Sequence, residues 1–471
     1  MNLQSILYFM FLTLVWLGGM LCTSAKRRQL ALLAASYLFY ATWSPAFTLL
    51  LMASSGFNYA WGRILRRDAS VSKLWTGILV NLAPLFFFKY AESVLLVLGL
   101  KSPDSLPFIL MPIGLSFYTF QAMGYLLDIY RGYEDQPTLL EFSLFLAFWP
   151  TILSGPICRV PEMIPQFREA ASPTKDDVSE GCRRIIIGLF MKMVLADILE
   201  QGIITGEGVR YGFDRMVGGW GGLDVLFLAA GFGFQLFFDF AGYSHIAIGS
   251  ARLFGIRLRE NFNDPFISST PSEFWTRWHM SLSSWIRDYV FFPLVMLSRH
   301  QQWRYLAILI SMVIFGIWHG VGATFIVWGF YQGLLLVIHR YGEQFLRSRR
   351  SGIMAGRPGA FISWGLTCLF ISLGWVVFRA HNLTQASTMI SALFSPASYW
   401  SMAMRPNFYI MISLVAFGYF FSILLKSLIQ SWQSSLLERL VWITSPVYYS
   451  VIVMGIIIWS KQGANFIYFQ F

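Results

Sequence analysis

Residues 225–251 read VLFLAAGFGFQLFFDFAGYSHIAIGSA. The run exceeds the roughly 20 residues that an α-helix needs to cross the hydrocarbon of a bilayer. One carboxylate, Asp239, interrupts it, with Gln235, Tyr243, Ser244 and His245 as its other polar groups. Comparable apolar runs recur along the 471 residues, which are 56% hydrophobic and only 13% charged. Soluble domains carry about 25% charged residues. The expected fold class is therefore an all-α polytopic membrane protein, with room for about ten to twelve spans.

The formal charge of +11 is distributed in a way that fits such a protein. Lys26, Arg27 and Arg28 follow the first apolar run. Arg63, Arg66, Arg67 and Lys73 follow the third, and Arg347, Arg349, Arg350 and Arg357 cluster late in the chain. Basic loops face the cytoplasm, which puts the N-terminus on the outer, periplasmic side. The basic residues are scattered between spans and not gathered on one soluble face, which argues against a nucleic-acid partner. Cys22, Cys158, Cys182 and Cys368 are far apart and form no CxxC pair, so neither a disulfide framework nor a zinc site is expected. Residues 6–22 lack a basic n-region and read as a first span, not a cleaved signal.

Several features are unusual for plain spans. Residues 142–156 are broken by Pro150, Gly155 and Pro156, and read as either a full span or a re-entrant hairpin. Residues 159–184 are polar enough for a cytoplasmic loop with an interfacial helix, followed by an apolar run at 185–199. Lys89, Asp128, Lys192 and Asp239 lie inside apolar runs, as ion-path residues of a transporter do. A membrane transporter or flippase of an acylated or lipid-linked substrate is thus the competing class, although no fixed-period repeat is visible.

The chemistry concentrates between Phe274 and Gly320. Thr270-Pro271-Ser272-Glu273 has the pattern of a helix N-terminus. The helix it predicts would carry Trp275, Trp278, His279, Trp285 and Arg287, with Trp275, His279 and Ser283 on one face. His319 follows Trp318 and precedes Gly320, with no charged residue near it in sequence. A neutral imidazole in that setting can accept a proton. The plain alternatives are an interfacial His279 bonded to backbone and a structural His319. His300, His339 and His381 read as ordinary surface or interface residues. A metal held by the two histidines with Asp239 or Asp288 is not expected, since no compact ligand spacing such as HExxH occurs.

The segments Phe274-Trp275-Thr276-Arg277-Trp278-His279, Trp285-Ile286-Arg287-Asp288-Tyr289 and Trp318-His319-Gly320 together resemble the membrane-bound O-acyltransferases. So do residues 37–40, 112–121, 154–157 and 239–244, and the resemblance covers nearly the whole chain. It points to the bacterial branch that includes the alginate, cellulose and peptidoglycan O-acetylation membrane proteins and the D-alanyl transfer protein of teichoic acid synthesis. The resemblance implies a single acyltransferase domain over residues 1–471, wrapped around a central funnel in the inner membrane. It implies acetyl-CoA as a cytoplasmic co-substrate and no permanently bound cofactor. His319 would be the general base, and His279 would position or polarise the thioester or help bind the donor. Trp275, Trp278, Arg277, Arg287, Asp288, Trp318, Gln121, Asp239 and Tyr243 would line the donor tunnel. A periplasmic SGNH-type acetyltransferase is the implied partner. The tail, residues 466–471, carries four aromatics in six residues. On physical grounds it plugs a groove or anchors at an interface; by resemblance, residues 441–471 act as a fused acyl-carrier element with Tyr468 as the carrier.

Overall fold

The computed structural model describes residues 1–97, 111–169, 171–200, 212–213, 219–320, 322–347, 356–431 and 435–459. Tyr468 and the aromatic tail lie outside the described residues. Among the described residues the regular structure is helical, with no strand. The chain forms two compact units, Met1–Ile185 with Tyr243–Glu260, and Ile186–Gly242 with Asn261–Phe471.

The first unit contains α1 (Ile6–Met20), α2 (Ala25–Ala41), α3 (Pro45–Arg67), α4 (Val71–Val97), α5 (Leu115–Tyr130), α6 (Leu139–Ala147), α7 (Trp149–Ile152), α8 (Val160–Glu169) and most of α9 (Lys175–Phe190). Its first three helices start at serines. Ser5, Ser24 and Ser44 accept hydrogen bonds from the backbone N–H groups of Tyr8, Arg27 and Phe47, supplying acceptors that the helix ends lack. Trp149 is fully buried and meets Phe11 and Phe254 edge-on at 5.6 and 5.3 Å. Asn58 on α3 and Asn81 on α4 exchange side-chain hydrogen bonds of 2.9 and 2.7 Å. That reciprocal pair satisfies two amides in a buried setting where an unpaired one is costly.

Two expected boundaries change. The run at 142–156 is two short helices, because Pro150 lacks a backbone N–H and α7 starts afresh after Ala147. The polar stretch ending at Arg184 and the apolar run after it are not a loop and a separate span. Thr174 and Asp177 cap α9 reciprocally, and α9 continues to Phe190, into a π-turn at Met191–Ala196 and then α10 (Asp197–Glu200).

The second unit takes up α11 (Gly222–Arg252) through Gly242, while the last turns of that helix belong to the first unit. Asp224 is fully buried at its start, accepting from the backbone N–H of Gly221 and the hydroxyl of Tyr409. There follow α12 (Pro271–Arg277), α13 (Met280–Ile286), a π-turn at Arg287–Phe291, α14 (Phe292–Met296), α15 (Gln301–His319), α16 (Ala323–Arg347), α17 (Arg357–Arg379), α18 (Leu383–Ala392), α19 (Pro406–Ser431) and α20 (Ser435–Trp459). Among the described residues four helical segments are long and apolar enough to cross a membrane: Val71–Ala91, Gly222–Arg252, Pro358–Arg379 and Pro406–Ser431. Helix α1 and Thr444–Trp459 are shorter apolar helices.

Helices α15 and α16 form a hairpin with touching backbones. A Cβ on Gly316 or Gly329 would fall closer than 3 Å to the carbonyl oxygen of Phe325 or Met312, respectively. Only glycine permits that approach, and it holds the C-terminal end of α15 against α16.

Candidate active site

The helix predicted from Thr270 forms, but it stops early. Thr270 caps it by accepting from the N–H of Glu273, and Pro271 takes the first helical position. Glu273 accepts from the N–H of Ser269, one residue before the cap. At Trp278 the chain leaves the helix, and His279 adopts φ 42°, ψ 52° before α13 begins. Trp275, His279 and Ser283 therefore do not share a helix face, which corrects the expectation from spacing.

Only Asp264 and His279 among the described non-glycine residues have positive φ. This left-handed conformation is unfavourable for a residue with a Cβ. The surroundings enforce it. The N–H of Met280 donates to the carbonyl of Asn261 at 2.8 Å, and the hydroxyl of Ser281 donates to Oδ1 of the same asparagine at 2.6 Å. Asn261 is itself fully buried. The kink turns the imidazole of His279 inward, where it is 0% exposed and meets Phe240 edge-on at 4.6 Å.

His319 is the last residue of α15, and Gly320 is extended. The residue is 4% exposed. It stands 5.1 Å from Phe315, 5.2 Å from Trp328 and 5.0 Å from Phe378, ring centroid to ring centroid. Trp318 lies beside both histidines, 4.7 Å from the ring of His319 and 6.3 Å from that of His279. Trp275 packs on Phe315 at 5.3 Å and on Trp328 at 6.0 Å. Trp278 packs on Trp375 at 5.1 Å. The structure thus gathers His279, His319, Trp275, Trp278 and Trp318 into one aromatic-walled cluster within the second unit.

The other sequence candidates have different surroundings. Arg277 bonds Glu273 at 3.0 Å and the carbonyl of Asn263 at 3.0 Å, fastening α12 to the segment before it. Arg287 pairs with adjacent Asp288 at 2.8 Å and is more than half exposed. Asp239 is buried with Lys192, whose ammonium also reaches Asp197, at 2.6 and 2.9 Å. This buried ion group fixes the π-turn of Met191–Ala196 to α11. Gln121 and Tyr243 belong to the first unit and are buried there. Sequence reasoning missed Phe240, Phe315, Trp328, Trp375 and Phe378. Their only signal was aromatic side chains one helical turn apart, as in Trp375 and Phe378, which plain spans also carry.

Comparison with known proteins identifies relatives of the chain. The model of the MBOAT, membrane-bound O-acyltransferase family, matches residues 126–354, a range that holds both histidines. The chain is 36% identical to the probable alginate O-acetylase AlgI of Pseudomonas aeruginosa, over 83% of this chain and 74% of that one. It is 31% identical to the peptidoglycan O-acetyltransferase of Helicobacter pylori, over 82% and 78%. It is 35% identical to the teichoic acid D-alanyltransferase of Streptococcus thermophilus, over 51% and 58%. With helices long and apolar enough to cross a membrane repeatedly, and relatives of this kind over most of its length, the chain is a multi-pass acyltransferase and belongs to the membrane-bound O-acyltransferase family.

Proposed function

We propose that this enzyme takes an acetyl group from cytoplasmic acetyl-CoA for O-acetylation of an exported or cell-wall polysaccharide, with His319 as general base. The observation that carries the proposal is the setting of His319, a buried imidazole at a helix end, walled by Phe315, Trp328 and Phe378 and joined through Trp318 to His279. An acceptor hydroxyl adds to the thioester carbonyl as its proton passes to His319. Collapse of the tetrahedral intermediate breaks the C–S bond, and the sulfur leaves with that proton. Aromatic walls keep water from competing for the acyl group. His279 positions the thioester. The named relatives act on alginate, peptidoglycan and teichoic acid, which supports a polysaccharide as final acceptor.

In this reading the first acceptor is the phenol of Tyr468, and the aryl ester formed passes its acetyl group to a periplasmic acetyltransferase of the SGNH type. Acetyl then crosses the inner membrane while CoA stays inside. The N-terminus is periplasmic, and the basic segments at 26–28, 63–73 and 347–357 are cytoplasmic, as their charge directs.

The test uses the purified full chain and acetyl-CoA labelled in the acetyl group. His319→Ala, shown to be folded and inserted, lowers CoA release about 10²–10⁴-fold. Tyr468→Phe removes covalent label from the protein while retaining the ring. Wild-type release by His319→Ala refutes the base, and wild-type labelling of Tyr468→Phe refutes the carrier. Uptake of label into vesicles with no thioester cleavage would favour the transporter instead.

A further inference from the structure

Helix α16 carries two buried polar groups that the reaction above does not use, the indole N–H of Trp328 and the amide of Gln332. Trp328 and Gln332 stand four residues apart, on one helix face, and each is 1% exposed. Neither Nε1 of Trp328 nor Oε1 or Nε2 of Gln332 has a hydrogen-bond partner among the described residues. Buried polar groups are normally paired, and an unpaired one in a native structure calls for an explanation.

The two side chains converge. A Cβ built on Gly374 of α17 would stand 3.5 Å from Nε1 of Trp328 and closer still to Nε2 of Gln332. Both nitrogens therefore lie close to one point beside the α17 backbone, and any side chain at residue 374 would displace the amide. The place adjoins the reacting group, since the Trp328 ring is 5.2 Å from that of His319 and perpendicular to it. Phe378, one turn along α17 from Gly374, also touches both rings, at 5.1 and 5.0 Å.

We propose that Trp328 and Gln332 form a subsite that receives the carbonyl oxygen of the acyl thioester. An indole N–H can only donate, and a primary amide offers two donors beside one acceptor. Two unpaired donors this close together select an acceptor oxygen. Trp328, Gln332, Gly374, Trp375 and Phe378 carry no charge, so the site suits a neutral carbonyl and not a phosphate or carboxylate, whose burial demands a counter-charge. As the hydroxyl adds, charge develops on that oxygen, and donors already in place stabilise it without reorganising. The proposal rests on the acyl-transfer reading.

The experiment measures CoA release from acetyl-CoA and the melting temperature for wild type, Gln332→Leu and Gln332→His, each as the full chain in detergent. Leucine fills similar space and removes the unpaired amide. The expected result is an unchanged or higher melting temperature with kcat lowered about a hundred-fold, and recovery of most activity in Gln332→His, whose neutral ring restores a donor and an acceptor. Turnover by Gln332→Leu within two-fold of wild type overturns the subsite. So does a lowered melting temperature with equal loss in both variants, which marks a packing role. A wild type that releases no CoA refutes the acyl-transfer reading itself and the subsite with it.

Discussion

The backbone of His279 separates two contributions that a single alanine variant would confuse. Every residue except glycine pays for φ near 42°. His279→Ala keeps that cost and loses the imidazole, whereas His279→Gly loses the imidazole and relieves the strain. Both variants should lose acetyl-CoA turnover equally if the ring acts on the donor, and the glycine variant should melt higher. The difference corresponds to about 1 kcal/mol, readable as a shift in melting temperature. A glycine variant no more stable than the alanine one would show that the conformation is set without strain. Sequence spacing could not reveal this kink. Histidine enters the left-handed region more often than most residues, but the bonds that impose the turn come from Asn261, which lies before the helix start and has no pattern linking it to Ser281.

Among the elements, the α15–α16 hairpin has the most direct influence on where His319 sits. Gly329→Ala drives a methyl into the carbonyl of Met312, and backbone cannot yield as a side chain can. Overpacking of this kind costs about 1–3 kcal/mol. The expected outcome is a lower melting temperature together with reduced turnover, because α15 shifts with the ring at its end. Gly342→Ala on the same helix is the control. A Cβ there meets nothing within 4 Å, so it should be neutral or slightly stabilising. Equal behaviour of the two variants would remove the argument. The sequence made α11 plain, since the run at 225–251 differs from Gly222–Arg252 only at its ends. It concealed Trp328 and Gln332, because one amide in a long apolar helix looks incidental until the facing residue, Gly374, is known.

For the whole molecule, charge is the legible property and pairing the illegible one. Lys192 and Asp239 read as separate polar intrusions in apolar runs, yet they bond at 2.6 Å, and nothing in either run indicates the other. Arg28 shows that not every basic loop residue is free to report topology. It is buried, donating to the carbonyls of Ala171 and Phe254. In the proposed orientation Lys26 and Arg27 would carry the signal there, alongside Arg63 and Arg67 in the next segment. Reporter fusions within 63–73 and 347–357 should report cytoplasmic exposure, and a fusion before Ser5 periplasmic exposure. Periplasmic activity from the first two would reverse the proposed orientation.

Helix α1 is 15 residues long, and at 1.5 Å per residue it reaches about 22 Å. The hydrocarbon of a typical bilayer is about 30 Å thick. Its outward side chains, among them Leu7, Met10, Leu14 and Leu17, are exposed and apolar, so if α1 crosses the bilayer, lipid meets a wall shorter than itself. Such hydrophobic mismatch is absorbed by local thinning of the bilayer or by flanking residues reaching outward. Acyl-chain length in the surrounding lipid is therefore a condition that any reconstitution of this enzyme has to fix, as much as pH or salt.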